Sequence, residues 1–178
     1  MARGLLVGRF QPFHLGHLGL VASIRKARPD QEILLGIGSA QASYTLDNPF
    51  TAGERWEMID RAFAEAKIAG GRPVPLADIH QHSLWVSHLV GLLPPFDRVY
   101  TNNPLTRLLF ERAGFEVESP PLVDRARFEG SQIRALMVSE GDWASRVPSS
   151  VAAYLRHIHG PERLQLLAKN PPPGPVQK

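Results

Sequence analysis

Short apolar runs alternate with segments whose apolar residues recur at helical spacing, and this order restricts the chain to an α/β architecture. Leu5 to Val7 is one such run, ended by Gly8, and Leu18, Val21, Ala22 and Ile24 to Ala27 follow at helical intervals. EILLGI, from Glu32 to Ile37, has after its first residue the apolar character of a buried strand. Thr51 precedes Glu54 by a capping-box spacing, and Trp56, Ile59, Phe63 and Ala66 are expected to share a buried face, so a helix is predicted from about Ala52 to Lys67. Pro73 to Ile79 reads as a third strand, Leu84 to Leu93 as a helix stopped by Pro94-Pro95, and Asp97 to Thr101 as a fourth strand. Asn103 before Pro104 marks another helix start, with Leu105, Leu108 and Leu109 expected to point inward and Gly114 at its end. Phe115 to Glu118 is then a fifth strand.

From Ser131 the chain reads as helical, with Val151, Tyr154, Leu155 and Ile158 in one stripe, until the Pro-rich segment after Asn170. The expectation is therefore one domain over residues 1–169, a doubly wound, mostly parallel sheet with a helical C-terminal part, and a disordered tail over residues 170–178. A chain of 178 residues has room for one such core. Ligands of these sheets bind at the carboxyl ends of the strands, where the strand order reverses, so chemistry is expected in the loops after the first, second and fourth strands.

Composition removes several function classes. A net charge of +3 spread along the chain argues against a nucleic-acid coat. The 20 basic residues are 16 Arg and 4 Lys, a bias toward the cation whose planar fork matches phosphate oxygens. With no Cys there are no disulfides, thiolate nucleophiles or Cys-held metals. No apolar stretch approaches a membrane span, and MARGLLVGRF lacks the features of a signal peptide. A soluble cytoplasmic protein is the expectation, with neither nucleic acid nor membrane as partner.

Gly8-Arg9-Phe10-Gln11-Pro12-Phe13-His14-Leu15-Gly16-His17 lies after the first strand and opens the first helix. Gly8 allows close backbone approach, the helix start attracts anions, and His14 and His17 stand one turn apart, so two imidazoles and Arg9 converge where a phosphate would sit. Either histidine alone would more commonly be a cap or a surface residue. No third ligand accompanies them, so no metal site is assigned. Gly36 and Gly38 form a G-x-G without the third glycine of a dinucleotide fingerprint, which disfavours hydride transfer.

GRFQPFHLGH resembles the H-x-G-H signature of the nucleotidylyltransferase superfamily and, in particular, the archaeal-type nicotinamide-nucleotide adenylyltransferases. GIGSAQ (Gly36 to Gln41), NPFTAGER (Asn48 to Arg55), SLWVSH (Ser83 to His88), PPFDRVYTNNPL (Pro94 to Leu105) and GSQIR (Gly130 to Arg134) are similar to that family in the same order, from about Arg3 to Lys169. The resemblance implies attack by the 5′-phosphate of nicotinamide mononucleotide (NMN) on the α-phosphorus of ATP, giving NAD and pyrophosphate with a magnesium ion held mainly by the ATP phosphates. It implies that His14, His17 and Arg9 are catalytic, that Gly8, Phe10, Asn102, Ser131, Ile133 and Arg134 complete the ATP and phosphate site, and that Ile79, His82 and Trp85 receive the pyridine nucleotide, with Trp85 stacking on its ring.

Departures accompany the match. Ser131 stands where relatives carry Thr, Ala135 where they carry a further Arg, His82 where several carry Asn, and Asp47 where some carry a basic residue. Arg55 is read as a helix-surface charge without a catalytic role. Archaeal-type relatives form hexamers, so a homo-oligomer is expected. The alternatives are a related enzyme with another acceptor, such as nicotinic acid mononucleotide, pantetheine phosphate or FMN, and a non-catalytic nucleotide sensor.

Overall fold

The computed structural model describes residues 2–121 and 127–170. The proline-rich tail expected after Asn170 lies outside the described residues. Five strands, β1 (Arg3–Gly8), β2 (Glu32–Ile37), β3 (Gly71–Pro75), β4 (Arg98–Tyr100) and β5 (Glu116–Glu118), form one all-parallel sheet in the order β3-β2-β1-β4-β5. The order reverses between β1 and β4, so the loops after these strands flank a crevice at the carboxyl edge.

Side-chain alternation divides the core into two layers. Leu6, Ile33, Leu35, Ile37 and Tyr100 face one side and pack with α1 (Leu15–Ala27), α2 (Ala52–Glu65), α5 (Gly130–Val138), α6 (Ser149–His157) and α7 (Gly160–Lys169). Leu5, Leu34 and Val99 face the other, against α3 (His82–Leu92) and α4 (Pro104–Arg112). β2 is buried at every position, as its apolar run predicts. At its start Glu32 is paired with Arg3 at 2.5 Å and with Arg72, which keeps a nearly buried carboxylate compensated.

Local signals set the helix starts. Thr51 Oγ1 accepts from Glu54 N at 3.2 Å while Glu54 Oε2 accepts from Thr51 N at 2.9 Å, the reciprocal box expected from the sequence. Asn103 Oδ1 accepts from Thr106 N at 3.0 Å, Pro104 opens α4, and Gly114 follows it at φ +85°.

Elsewhere tertiary contacts shift the elements. β3 begins at Gly71 and ends at Pro75, four residues before the expected end at Ile79. Leu76 N still donates to Ile37 O at 2.9 Å, but β2 has ended there, and the chain swings outward through His80 at φ +54°. Asp78 and Ile79 thus belong to a loop. In α2 the buried face is Arg55, Met58, Ile59, Ala62 and Phe63, so the helix is rotated by one position from the expected stripe: Trp56 is exposed, and so is Ala66, just beyond its end. In α4 Leu105 and Leu108 are exposed and Phe110 is the residue that enters the core. The helical part expected from Ser131 consists of α5, which starts at Gly130, a 3₁₀ turn (Ala144–Arg146), α6 and α7, divided where Glu140 and His159 adopt positive φ and Pro148 stands before α6. Among the described residues no helix is long and apolar enough to cross a membrane.

At Gly71 a Cβ would lie 2.1 Å from Cε2 of the buried Phe63 ring, so strand β3 closes against α2 only with glycine there. Gly71→Ala is expected to destabilise the fold by about 1–3 kcal/mol through overpacking, measured by denaturant unfolding.

Candidate active site

The loop between β1 and α1 builds the centre of the crevice. Phe10 adopts φ +51° and folds its ring beneath Gly8, where any Cβ would lie 2.8 Å from that ring. The buried Phe10 ring then meets His17 edge-on at 4.9 Å, and Phe13 approaches the same imidazole at 5.4 Å. His14 is the N-cap of α1. Its Nδ1 accepts from His17 N and His17 Nδ1 accepts from His14 N, both at 3.3 Å, and the two rings stack at 3.5 Å and 18°.

This reciprocal cap fixes the tautomers. A neutral ring whose Nδ1 accepts must carry its proton on Nε2, so each imidazole offers one N–H away from the helix end. Burial lowers the His14 pKa to about 4. Burial, reinforced by the neighbouring His14, holds His17 well below the ordinary histidine value. Both rings are therefore neutral near pH 7.

Three adjoining cavities meet at Arg9, which lines all of them. One of about 210 Å³ is bounded by Phe10, Gln11, His14, His17, Glu129, Gly130, Ser131 and Arg134. A second, of about 160 Å³, lies over Gly8, Gly38, Ser39, Asp78 and Trp85. The third, about 480 Å³, is lined by Asp78, Ile79, His80, His82, Trp85 and Asn103 among others. Trp85, half-buried, stands edge-on to Phe110 at 5.5 Å and lines both of the last two.

Most of the residues named from the sequence thus meet around one crevice. Two do not line it. Ile133 is wholly buried in the core, and Asn102 donates through Nδ2 to Pro120 O at 3.0 Å while its neighbour Asn103 lines the large cavity. Arg134, nearly buried, donates from Nε to Leu46 O at 2.9 Å and from Nη1 to Gln11 O at 3.0 Å, and its Nη2 lies 3.4 Å from Asp47 Oδ1. Asp47 is therefore a partner of Arg134, and burial, aided by the Arg9 charge, lowers the Arg134 pKa.

Two further residues, given no role by the sequence motifs, shape the site. Gln11, 3% exposed, donates through Nε2 to Phe50 O at 2.9 Å and accepts through Oε1 from Phe50 N at 3.0 Å, tying the β1 loop to the start of α2. Arg55, read as a surface charge, is 0% exposed. It donates to Thr51 O at 3.2 Å, Arg9 O at 2.9 Å, Gly38 O at 2.7 Å and Ser39 O at 3.1 Å. The NPFTAGER segment contained it, but an apolar count cannot mark a polar residue as buried. Among the described residues no group of three or more His, Asp or Glu converges to hold a metal ion.

The cytidylyltransferase-like family matches the chain over residues 5–136. The chain is 46% identical to the nicotinamide-nucleotide adenylyltransferase of Methanolobus tindarius over 96% of each chain. It is 48% identical to that of Haloarcula marismortui over 92% of this chain and 85% of the relative. The fold superimposes with a TM-score of 0.77 on a bifunctional NMN adenylyltransferase/ADP ribose pyrophosphatase from Francisella tularensis, at 19% identity, over 95% of this chain and 53% of the other. The same protein is solved with AMP and a manganese ion, TM-score 0.71, at 18% identity over 94% of this chain and 52% of the other. With identities of 46–48% to these archaeal relatives over nearly its whole length, this chain belongs to the nicotinamide-nucleotide adenylyltransferase family.

Proposed function

We propose that the protein transfers the adenylyl group of ATP to NMN, forming NAD and pyrophosphate. The observation that carries this reading is the reciprocal cap of His14 and His17, which presents two neutral Nε2–H donors beside Arg9 and a tryptophan-lined cavity. In this reaction a 5′-phosphate oxygen of NMN forms a bond to the α-phosphorus, the bond from that phosphorus to the bridging oxygen breaks, and pyrophosphate leaves. No covalent enzyme intermediate is needed. The protein supplies position and donors for the charge that develops on the phosphoryl oxygens.

His14 and His17 donate to the triphosphate from the small cavity, where Ser131 at the start of α5 adds a hydroxyl and Arg134 a guanidinium. Arg9 stands between this cavity and the larger one, where it can contact the phosphates of both substrates. Trp85 stacks on the pyridinium ring through its indole face, with Ile79 and His82 at the rim, and the crevice near Asn103 takes the adenosine. Among the described residues that line the small cavity Glu129 is the single carboxylate, too few for a protein-built cage, so the residues present fit a magnesium ion that would be held mainly by the ATP phosphates and water. Such an ion neutralises phosphate charge. We also read the protein as a homo-oligomer, for which Leu84, Val90, Leu92, Leu105 and Leu108 of α3 and α4 leave an exposed apolar surface.

Purified protein given ATP, magnesium and NMN should release pyrophosphate and form NAD. Nicotinic acid mononucleotide, pantetheine phosphate and FMN in place of NMN test the acceptor, and release with one of these alone would replace the assignment. His17→Ala should lower kcat with little change in KM, by roughly 2–4 kcal/mol, since its donor acts on charge present chiefly in the transition state. Trp85→Ala should chiefly raise the KM for NMN, since stacking acts on ground and transition states alike.

The neutral His14 also couples stability to pH. Its folded pKa, about 4, lies below the ordinary 6.5, so the unfolded chain binds more protons between these values and stability falls as pH drops through that window. Wild type should lose of the order of 3 kcal/mol more than His14→Asn between pH 7 and pH 4 in denaturant unfolding, because Asn can still cap α1 but does not titrate.

A further inference from the structure

Among the described residues Arg55 is the only charged side chain with no exposed surface, and no carboxylate there pairs with it. Its bonds all go to main-chain carbonyls, from two loops that end adjacent strands and from the cap of its own helix. A guanidinium taken out of water with no carboxylate in hydrogen-bond contact is costly: burial, then the neighbouring Arg9 charge, lowers its pKa to about 10, and Asp78 and Glu54 offset this only at a distance. An apolar side chain would fill the same space at less expense. The arrangement is explained by its acceptors.

β1 and β2 pair in register only as far as Gly8 and Ile37. Beyond them the chains part around the crevice: the carbonyls of Arg9 and Gly38 have no ladder partner, and that of Ser39 has only a turn bond from Ala42 N at 3.0 Å besides Arg55. Each of these three residues lines a cavity of the site, and Arg9 lines all three. Only a planar fork with five N–H donors spans carbonyls on two loops at once, whereas an ammonium of the same charge cannot reach all of them in a fixed geometry.

We propose that Arg55 is a positioning residue: by gripping the Arg9 and Gly38-Ser39 carbonyls together, it sets the distance between the β1 and β2 loops and holds the exposed Arg9 guanidinium between the imidazole pair and the Trp85 cavity. This rests on the adenylyl-transfer reading, in which Arg9 touches phosphate of both substrates. Arg55 touches neither substrate.

A double-mutant cycle with Arg9 separates positioning from general stabilisation. Arg55→Lys keeps the charge and loses the fork, and Arg9→Ala removes an exposed side chain. If Arg55 acts through Arg9, Arg55→Lys should lower kcat/KM roughly 10-fold in the wild-type background and only about 2-fold in the Arg9→Ala background. Equal losses in both backgrounds, or no loss in the first, would overturn the proposal. Circular dichroism and thermal unfolding establish that each variant is folded. Should Arg55→Lys fail to fold, the wild-type protein still decides: the Arg55 Nε–H resonance should exchange slowly and shift on saturation with ATP, and the shift should disappear in Arg9→Ala. An unmoved resonance, or one that shifts equally without the Arg9 side chain, counts against positioning. Wild type that makes no pyrophosphate from ATP and NMN would instead reject the reaction, and the resonance experiment would still report on Arg55.

Discussion

At the carboxyl edge of a parallel sheet the strands end before the chain has turned, and the backbone groups left over must find partners or lose stability. In this protein three buried polar side chains meet that demand. Arg55 gathers carbonyls from the β1 and β2 loops, Gln11 exchanges two bonds with the backbone of Phe50, and Arg134 takes the carbonyls of Gln11 and Leu46. Together they tie the β1 loop, the long loop after β2 and the start of α5 into one rim. The crevice keeps its shape because its walls share these donors.

Within that rim the histidine pair shows packing deciding chemistry. Imidazoles stacked at 3.5 Å would repel if both were charged, and the aromatic rings of Phe10 and Phe13 remove water from one side. The neutral state and the Nε2–H tautomer follow from the same contacts that cap α1. One arrangement thus closes a helix end and aims two donors at the place where phosphate charge would develop.

Much of this was legible beforehand where the cause is local. The Thr51 and Glu54 capping box, the Asn103-Pro104 start and the five-residue apolar run of β2 from Ile33 to Ile37 depend on neighbours a few residues away, and each sits where those neighbours require. The grouping of Arg9, His14 and His17 follows from their spacing at one helix start. β3 ends short of the expected Ile79 because strand length is set by its partner: β2 stops at Ile37, and Asp78 and Ile79 are freed to line the cavity. Leu105 and Leu108 looked like core residues by type, yet α4 turns Phe110 inward.

By itself the sequence determined the alternation of strands and helices, their caps, and the decapeptide that brings two imidazoles to the first crossover, because these rest on spacing along the chain. Tertiary structure decided the rotation of α2 that buries Arg55 in place of Trp56, the bond between Arg134 and the loop that carries Asp47, and the displacement of Ile133 into the core. The physical reason is that hydrophobic periodicity predicts only where apolar groups go. A buried guanidinium is placed by acceptors tens of residues distant, and those become neighbours only when the sheet has formed.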